Sequence, residues 1–234
     1  MLRIRFHGRG GQGMKTASRI LGSALFRAGY EVQDAPRYAA ERRGAPIFAY
    51  VRADRRPIHE RGVIEQPDLV VVADESLVPL PAAGVLAAID AATKLLLATA
   101  DSAATWRARL AFAGRVLTLP FFTDPAHGEV RSVGVACAGA AACLVGVAWE
   151  DLAAAVALEL ADLDPALLDA NRAGARDGFA AVAAHAGSVV ARPDAPAAPA
   201  PPAWIDLAFE DAAASAPVIH AVANSVEVRT GLWR

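Results

Sequence analysis

Six residues near the start of the chain, Gly8-Arg9-Gly10-Gly11-Gln12-Gly13, have the spacing of a turn that approaches a phosphate. Glycines allow a tight reversal and close backbone contact, and the N–H groups of a following helix present partial positive charge to an anion. Asp34 stands about twenty residues on, where a dinucleotide site uses a carboxylate to hold a ribose. That pattern suits nicotinamide or flavin binding. It equally suits close packing of a first helix on a sheet, with Arg9 and Gln12 then serving other contacts. A second group, Tyr38-Ala39-Ala40-Glu41-Arg42-Arg43-Gly44-Ala45-Pro46, sets a carboxylate and two guanidinium groups beside a turn. Arginine forks match carboxylate and phosphate oxygens, and the same residues also make a solvated loop with an internal Glu–Arg pair. Asp74-Glu75-Ser76 falls at the end of an apolar run, where open α/β sheets bind ligands, but reads more simply as a helix cap or a loop.

The other reactive residue types point to no chemistry. His7, His59, His127, His185 and His220 share no ligand spacing, so no metal site is expected. Ser18, Ser23 and Ser76 lack the strand–turn–helix context of a serine nucleophile. Cys137 and Cys143 sit in an Ala/Gly-rich stretch and are expected as small core residues. No catalytic residue is assigned to the chain.

The elements that must position these groups follow from periodicity. Residues 3–7 alternate as a strand does, the glycine turn comes next, and a helix runs from Met14 to about Ala28 with Ala17, Ile20, Leu21, Ala24 and Leu25 on one face and Gly29 as its stop. Strands are predicted at Tyr30–Gln33 and Ile47–Arg52, with the arginine-rich loop Pro36–Pro46 between them. Asp68–Ala73 has the continuous β-branched character of a strand buried on both faces and hence of a sheet with a parallel centre. Lys94–Ala98 and Arg115–Leu119 read the same way, with helices expected near Ala82–Ala92 and Thr105–Ala113. After Arg131 the chain is helical, over Gly134–Val147, Trp149–Leu160 and Pro165–Ala184. The expected fold is therefore α/β, a Rossmann-like, doubly wound and mainly parallel sheet with helices on both faces. Residues 1–191 would form this domain, 192–203 a semi-rigid Pro/Ala linker, and 204–234 an extended C-terminal arm that docks on another surface.

Composition narrows the function classes. Hydrophobic residues make up 55% of the chain, largely alanine and valine, and aromatic residues 6%, so disorder is excluded for most of it. With 23 basic and 25 acidic residues, a net charge of -2, there is no broad field for nucleic acid. The stretch Met1–His7 has no continuous apolar core and is not expected to be a signal peptide. The long uncharged run Val133–Trp149 is too weakly apolar for a membrane span. Two cysteines make no disulfide framework, and a cytoplasmic setting is expected.

The glycine turn in this spelling, followed by Glu41-Arg42-Arg43-Gly44-Ala45-Pro46, resembles the gamma subunit of the thiamine-diphosphate-dependent 2-oxoacid:acceptor oxidoreductases. The resemblance continues through Ile58, Pro67–Val72, Asp164–Asn171 and Gly178-Phe179, covering roughly residues 3–185. Residues Arg229–Arg234 resemble the opening of the family's delta subunit. The resemblance implies a hetero-oligomer with alpha and beta thiamine-diphosphate subunits and a delta ferredoxin-like subunit. The implied reaction is oxidative decarboxylation of a 2-oxoacid to its acyl-CoA, with electrons passing through [4Fe–4S] clusters to ferredoxin or NAD. Thiamine diphosphate, magnesium, the clusters and coenzyme A belong to that complex, and none is assigned to this chain alone. The resemblance makes the chain a structural subunit, with Gly8, Arg9, Gly10, Gly11, Gln12 and Gly13 forming its turn and Glu41 orienting Arg42 and Arg43 for coenzyme A.

Overall fold

The computed structural model describes residues 1–37, 45–119 and 131–193. The proposed anion-binding residues Glu41, Arg42 and Arg43, most of the linker and the arm 204–234 lie outside them. Met1–Pro193 form one unit.

Its sheet has six strands: β1 Leu2–Arg9, β2 Glu31–Arg37, β3 Pro46–Asp54, β4 Leu69–Val72, β5 Lys94–Ala98 and β6 Arg115–Leu119, in the order β2-β3-β1-β4-β5-β6. β1, β4, β5 and β6 pair in parallel, as the apolar runs predict. β3 runs antiparallel to both β1 and β2. The sheet is therefore mixed: β2 runs in the same direction as β1 but is held one strand away from it.

Alternation sorts the side chains onto two faces. Leu2, Ile4, Phe6, Leu69, Val71, Leu96, Leu117 and Leu119 pack with α1 (Met14–Arg27), α3 (Arg131–Val145) and α4 (Trp149–Glu159). α5 (Pro165–Ala181) lies on α3, where small residues let the backbones meet. On the other face Val70, Val72, Leu95, Leu97 and Val116 pack under Leu77, Val78, Val85 and Trp106 of α2 (Ala103–Leu110). The uncharged run Val133–Trp149 supplies the buried helix α3. Among the described residues no helix is long and apolar enough to cross a membrane.

One predicted element does not form. Ala82–Ala92 is a 3₁₀ turn at Pro81–Ala83 followed by irregular turns. Gly84 and Ala88 take positive φ, which breaks any helix. The carbonyls of Ala83, Val85 and Ala87 are used instead by side chains of β1: His7 Nδ1 lies 3.0 Å from Ala83 O, and Arg5 donates to Val85 O at 3.1 Å and Ala87 O at 2.8 Å. Strand β1, which looks half-exposed in sequence, is thus buried on both faces.

Candidate functional site

β1 delivers the chain into the glycine turn, and α1 leaves it. Gly11 (φ 97°) and Gly13 (φ 74°) take left-handed conformations that L side chains resist, so glycine is required at both. Gly13 is the N-cap of α1 and offers no capping side chain, so capping of the first N–H groups falls to nothing on that residue. Gly8 is needed for space, since a Cβ there would come within 2.5 Å of Met14 Cγ. At Gly134 a Cβ would lie 2.8 Å from the carbonyl oxygens of Gln12 and Gly13. The first turn of α3 therefore sits directly on the glycine turn.

Side chains from β1 and the end of β4 close the turn. The Arg9 N–H donates to Gln12 Oε1 at 2.7 Å, the Gln12 N–H to Arg9 O at 3.0 Å, and the Gly10 N–H to Ala45 O at 2.9 Å. The Arg9 guanidinium reaches across the sheet, its Nε donating to Asp74 Oδ2 at 2.8 Å and its Nη2 to Ser76 Oγ at 2.8 Å. Gln12 Nε2 donates to the same Asp74 oxygen at 3.4 Å. The other oxygen, Oδ1, accepts from the Ser76 N–H at 2.9 Å and from the Ser76 hydroxyl. Burial pushes the Asp74 carboxyl up, but hydrogen bonds from Ser76 and Arg9 outweigh it and hold the group below its usual range. Arg9, Gln12, Asp74 and Ser76 thus form one ionic network at the carboxyl ends of β1 and β4, the crevice where open α/β sheets bind ligands.

Asp34 is not part of it. It lies on β2, two strand positions from β1, a separation of roughly 9–10 Å. It accepts a hydrogen bond from Ser18 Oγ of α1 at 2.8 Å, and burial pushes its carboxyl up. In a dinucleotide site the acidic residue ends the strand adjacent to β1. The insertion of β3 removes that arrangement, and the Arg9–Asp74 pair already occupies the switch-point crevice. What remains open beside the turn is a cleft of about 240 Å³, lined by Gly11, Gly13, Thr16, Val135, Leu163 and Leu167. Apart from the backbone of the glycine turn, its wall is mainly apolar.

A second polar cluster was not legible as one. Arg3, Arg5 and His7 on β1 and Arg52 on β3 are all buried. Glu60 receives Arg3 Nη2 at 2.8 Å and Arg52 Nε at 2.8 Å, and these hydrogen bonds outweigh burial and hold its carboxyl below the usual value. Burial and the neighbouring Arg5 charge lower His7 to about 3, so it stays neutral. The signal available was the strict alternation of Arg3, Arg5 and His7 with Leu2, Ile4 and Phe6. Cys137 and Cys143 are free and buried in α3, and burial raises both thiols, Cys137 to about 12. Among the described residues no group of His, Cys, Asp and Glu is placed to hold a metal ion.

A family model described as "Pyruvate ferredoxin/flavodoxin oxidoreductase" matches residues 3–181. The chain is 54% identical over 77 residues to the common gamma subunit of the pyruvate/ketoisovalerate oxidoreductases of Thermococcus kodakarensis, covering 33% of this chain and 42% of that one. The matched region thus spans about two fifths of that relative's length. A solved structure of the pyruvate oxidoreductase subunit PORC of Thermotoga maritima superposes with a TM-score of 0.62 at 30% identity, covering 76% of this chain and 95% of that one. The keto/oxoacid ferredoxin oxidoreductase gamma subunit of Geobacter sulfurreducens shares the fold, with a TM-score of 0.54 at 20% identity over 79% of this chain and 99% of that one.

Proposed function

The chain belongs to the pyruvate ferredoxin/flavodoxin oxidoreductase family, and from that premise we propose that it serves as the gamma subunit of a 2-oxoacid:acceptor oxidoreductase, in a hetero-oligomer with alpha, beta and delta subunits. The complex would oxidatively decarboxylate a 2-oxoacid such as pyruvate, 2-oxoglutarate or phenylglyoxylate to its acyl-CoA and pass the electrons to ferredoxin or NAD. The observation that carries this reading is the 30% identity to the Thermotoga maritima subunit along 95% of that protein's length.

The residues present limit what this chain contributes. A [4Fe–4S] cluster needs four ligands, commonly cysteine thiolates. The sequence has two cysteines, both buried inside α3, so these residues do not supply the four thiolates of such a cluster, and we read the clusters as held by a partner subunit. The sequence also lacks a Gly-Asp-Gly segment with following asparagines for magnesium and a diphosphate, and we read thiamine diphosphate as held by the partner subunits as well. For coenzyme A the chain offers Arg42 and Arg43, whose guanidinium forks match phosphate oxygens, with Glu41 orienting them. The glycine turn joins that loop through the Gly10–Ala45 hydrogen bond. Gly8, Gly10 and Gln12 with Arg9 build the turn, and Gly11 and Gly13 present its open backbone to the cleft.

The test is reconstitution with the partner subunits. Acceptor reduction dependent on 2-oxoacid and coenzyme A should require this chain, and Arg42→Ala with Arg43→Ala should raise the KM for coenzyme A without changing the chain's melting temperature. Activity that is indifferent to the chain would overturn the reading. A stand-alone Rossmann-type oxidoreductase is the competing one. A ligand at 100 times its Kd stabilises by about 2.7 kcal/mol. No such shift with NAD(P) or FAD is expected for the isolated chain, because Asp34 and the Arg9–Asp74 network leave the turn without a dinucleotide site.

A further inference from the structure

β6 is the last strand of the sheet and pairs with β5 on one side only. Along its other side, alternate peptide N–H and C=O groups of Arg115–Leu119 have no strand neighbour among the described residues. A groove of about 340 Å³ follows that side, floored by Arg115 and Thr118 and walled by Arg107 of α2 and by Val182 and His185 after α5. Among the described residues, two guanidinium groups line it and no carboxylate does. Arg109, two residues from Arg107, is paired with Asp101. Arg107 and Arg115 have no carboxylate partner among the described residues. Arg115 stands instead in register with Lys94 of β5, whose ammonium is pushed down by burial and by the Arg115 charge. Among the described residues, the groove thus combines a strand edge that no other strand covers with positive charge that no carboxylate offsets.

We propose that the β6 edge is an interface for an extended acidic segment of a partner subunit, which pairs with β6 as a seventh strand. The inference rests on the reading of this chain as a subunit. An added strand supplies backbone partners that no nucleotide or small anion can, and charge complementarity selects acidic side chains. The positions of the two arginines make the requirement narrower. Arg115 has the parity of Leu117, on the α1 and α3 face, whereas Arg107 stands on the α2 side. An added strand turns successive side chains to opposite faces. Neighbouring acidic residues, not alternate ones, therefore meet the two cations.

The experiment uses the full chain with its purified partner subunits. Arg107→Glu with Arg115→Glu should weaken assembly by about tenfold or more and reverse its salt dependence, since both charges at the edge change sign. Arg107→Gln with Arg115→Gln should weaken it less, and Arg109→Glu should leave it unchanged. A photocrosslinking residue at Thr118, with both arginines intact, should capture in the assembled complex a partner segment with adjacent Asp or Glu residues. Wild-type affinity in the charge-reversed variant, or capture of a basic segment, would overturn the inference while leaving the subunit reading intact. Failure of the wild-type chain to assemble would overturn both.

Discussion

The crossing of α3 and α5 gives a prediction whose sign is opposite to the ordinary one. A Cβ at Gly178 would lie 2.0 Å from the Ala136 carbonyl oxygen, and one at Gly139 would lie 2.0 Å from the Ala175 carbonyl oxygen. Ordinary contact begins at 3.4 Å, so Gly178→Ala requires the helices to part by about 1.4 Å. Both obstacles are backbone atoms within packed helices, so no side chain can rotate away. Overpacking of this kind costs about 3 kcal/mol, and the better helix propensity of alanine returns about 1 kcal/mol. The net loss of about 2 kcal/mol corresponds to a fall of about 4–8 °C in melting temperature for a domain of this size. Thermal unfolding of the full chain followed by circular dichroism measures it. The double variant with Gly139→Ala should lose less than the sum, because the first substitution has already parted the helices. A raised melting temperature for Gly178→Ala would mean that only propensity acts there, and the close crossing would be wrong.

Three further outcomes follow from the polar groups. Arg9→Ala removes the pair to Asp74 and should speed hydrogen exchange at Gly10–Gly13 while lowering stability by up to about 1 kcal/mol, as expected for a partly exposed pair; unchanged exchange would show that the pair does not hold the turn. Glu60 has a lowered folded-state pKa, so its contribution is complete above the ordinary value of 4.5 and is lost as pH falls below that through the folded value; Glu60→Gln should flatten the acid side of the stability profile, and an unaltered acid limb would contradict this. Cys137 and Cys143 should resist a thiol reagent in the native protein and react on unfolding, since burial raises both thiols; prompt labelling in the native state would refute their burial.

The regular elements were legible because each carries its own period. Met14–Arg27, Leu69–Val72 and Pro165–Ala181 fall close to where spacing places them. Ala82–Ala92 misled because alanine favours helix, while the outcome was decided by side chains about eighty residues earlier that take its carbonyls. The glycine turn was legible as a turn, yet its dinucleotide context dissolved for reasons outside the motif. One is the strand β3 inserted between β1 and β2. The other is the Arg9–Asp74 pair, which joins residues 65 apart in sequence. No local pattern encodes either, because strand order and long-range pairing are settled by which faces can be buried together.

The central position of β1 also bears on how the chain is made. β1 is made before either of its two neighbours, β3 and β4, so it waits for residues as late as Val72 before both its edges are covered. An apolar strand left open for that interval would invite pairing with other nascent chains. Arg3, Arg5 and His7 stud one of its faces, and during synthesis Glu60 and the carbonyls of Val85 and Ala87 are not yet there to receive the two arginines. The same side chains that later tie down the covering loops therefore act first as gatekeepers, keeping the unfinished strand soluble until the groups that receive them arrive.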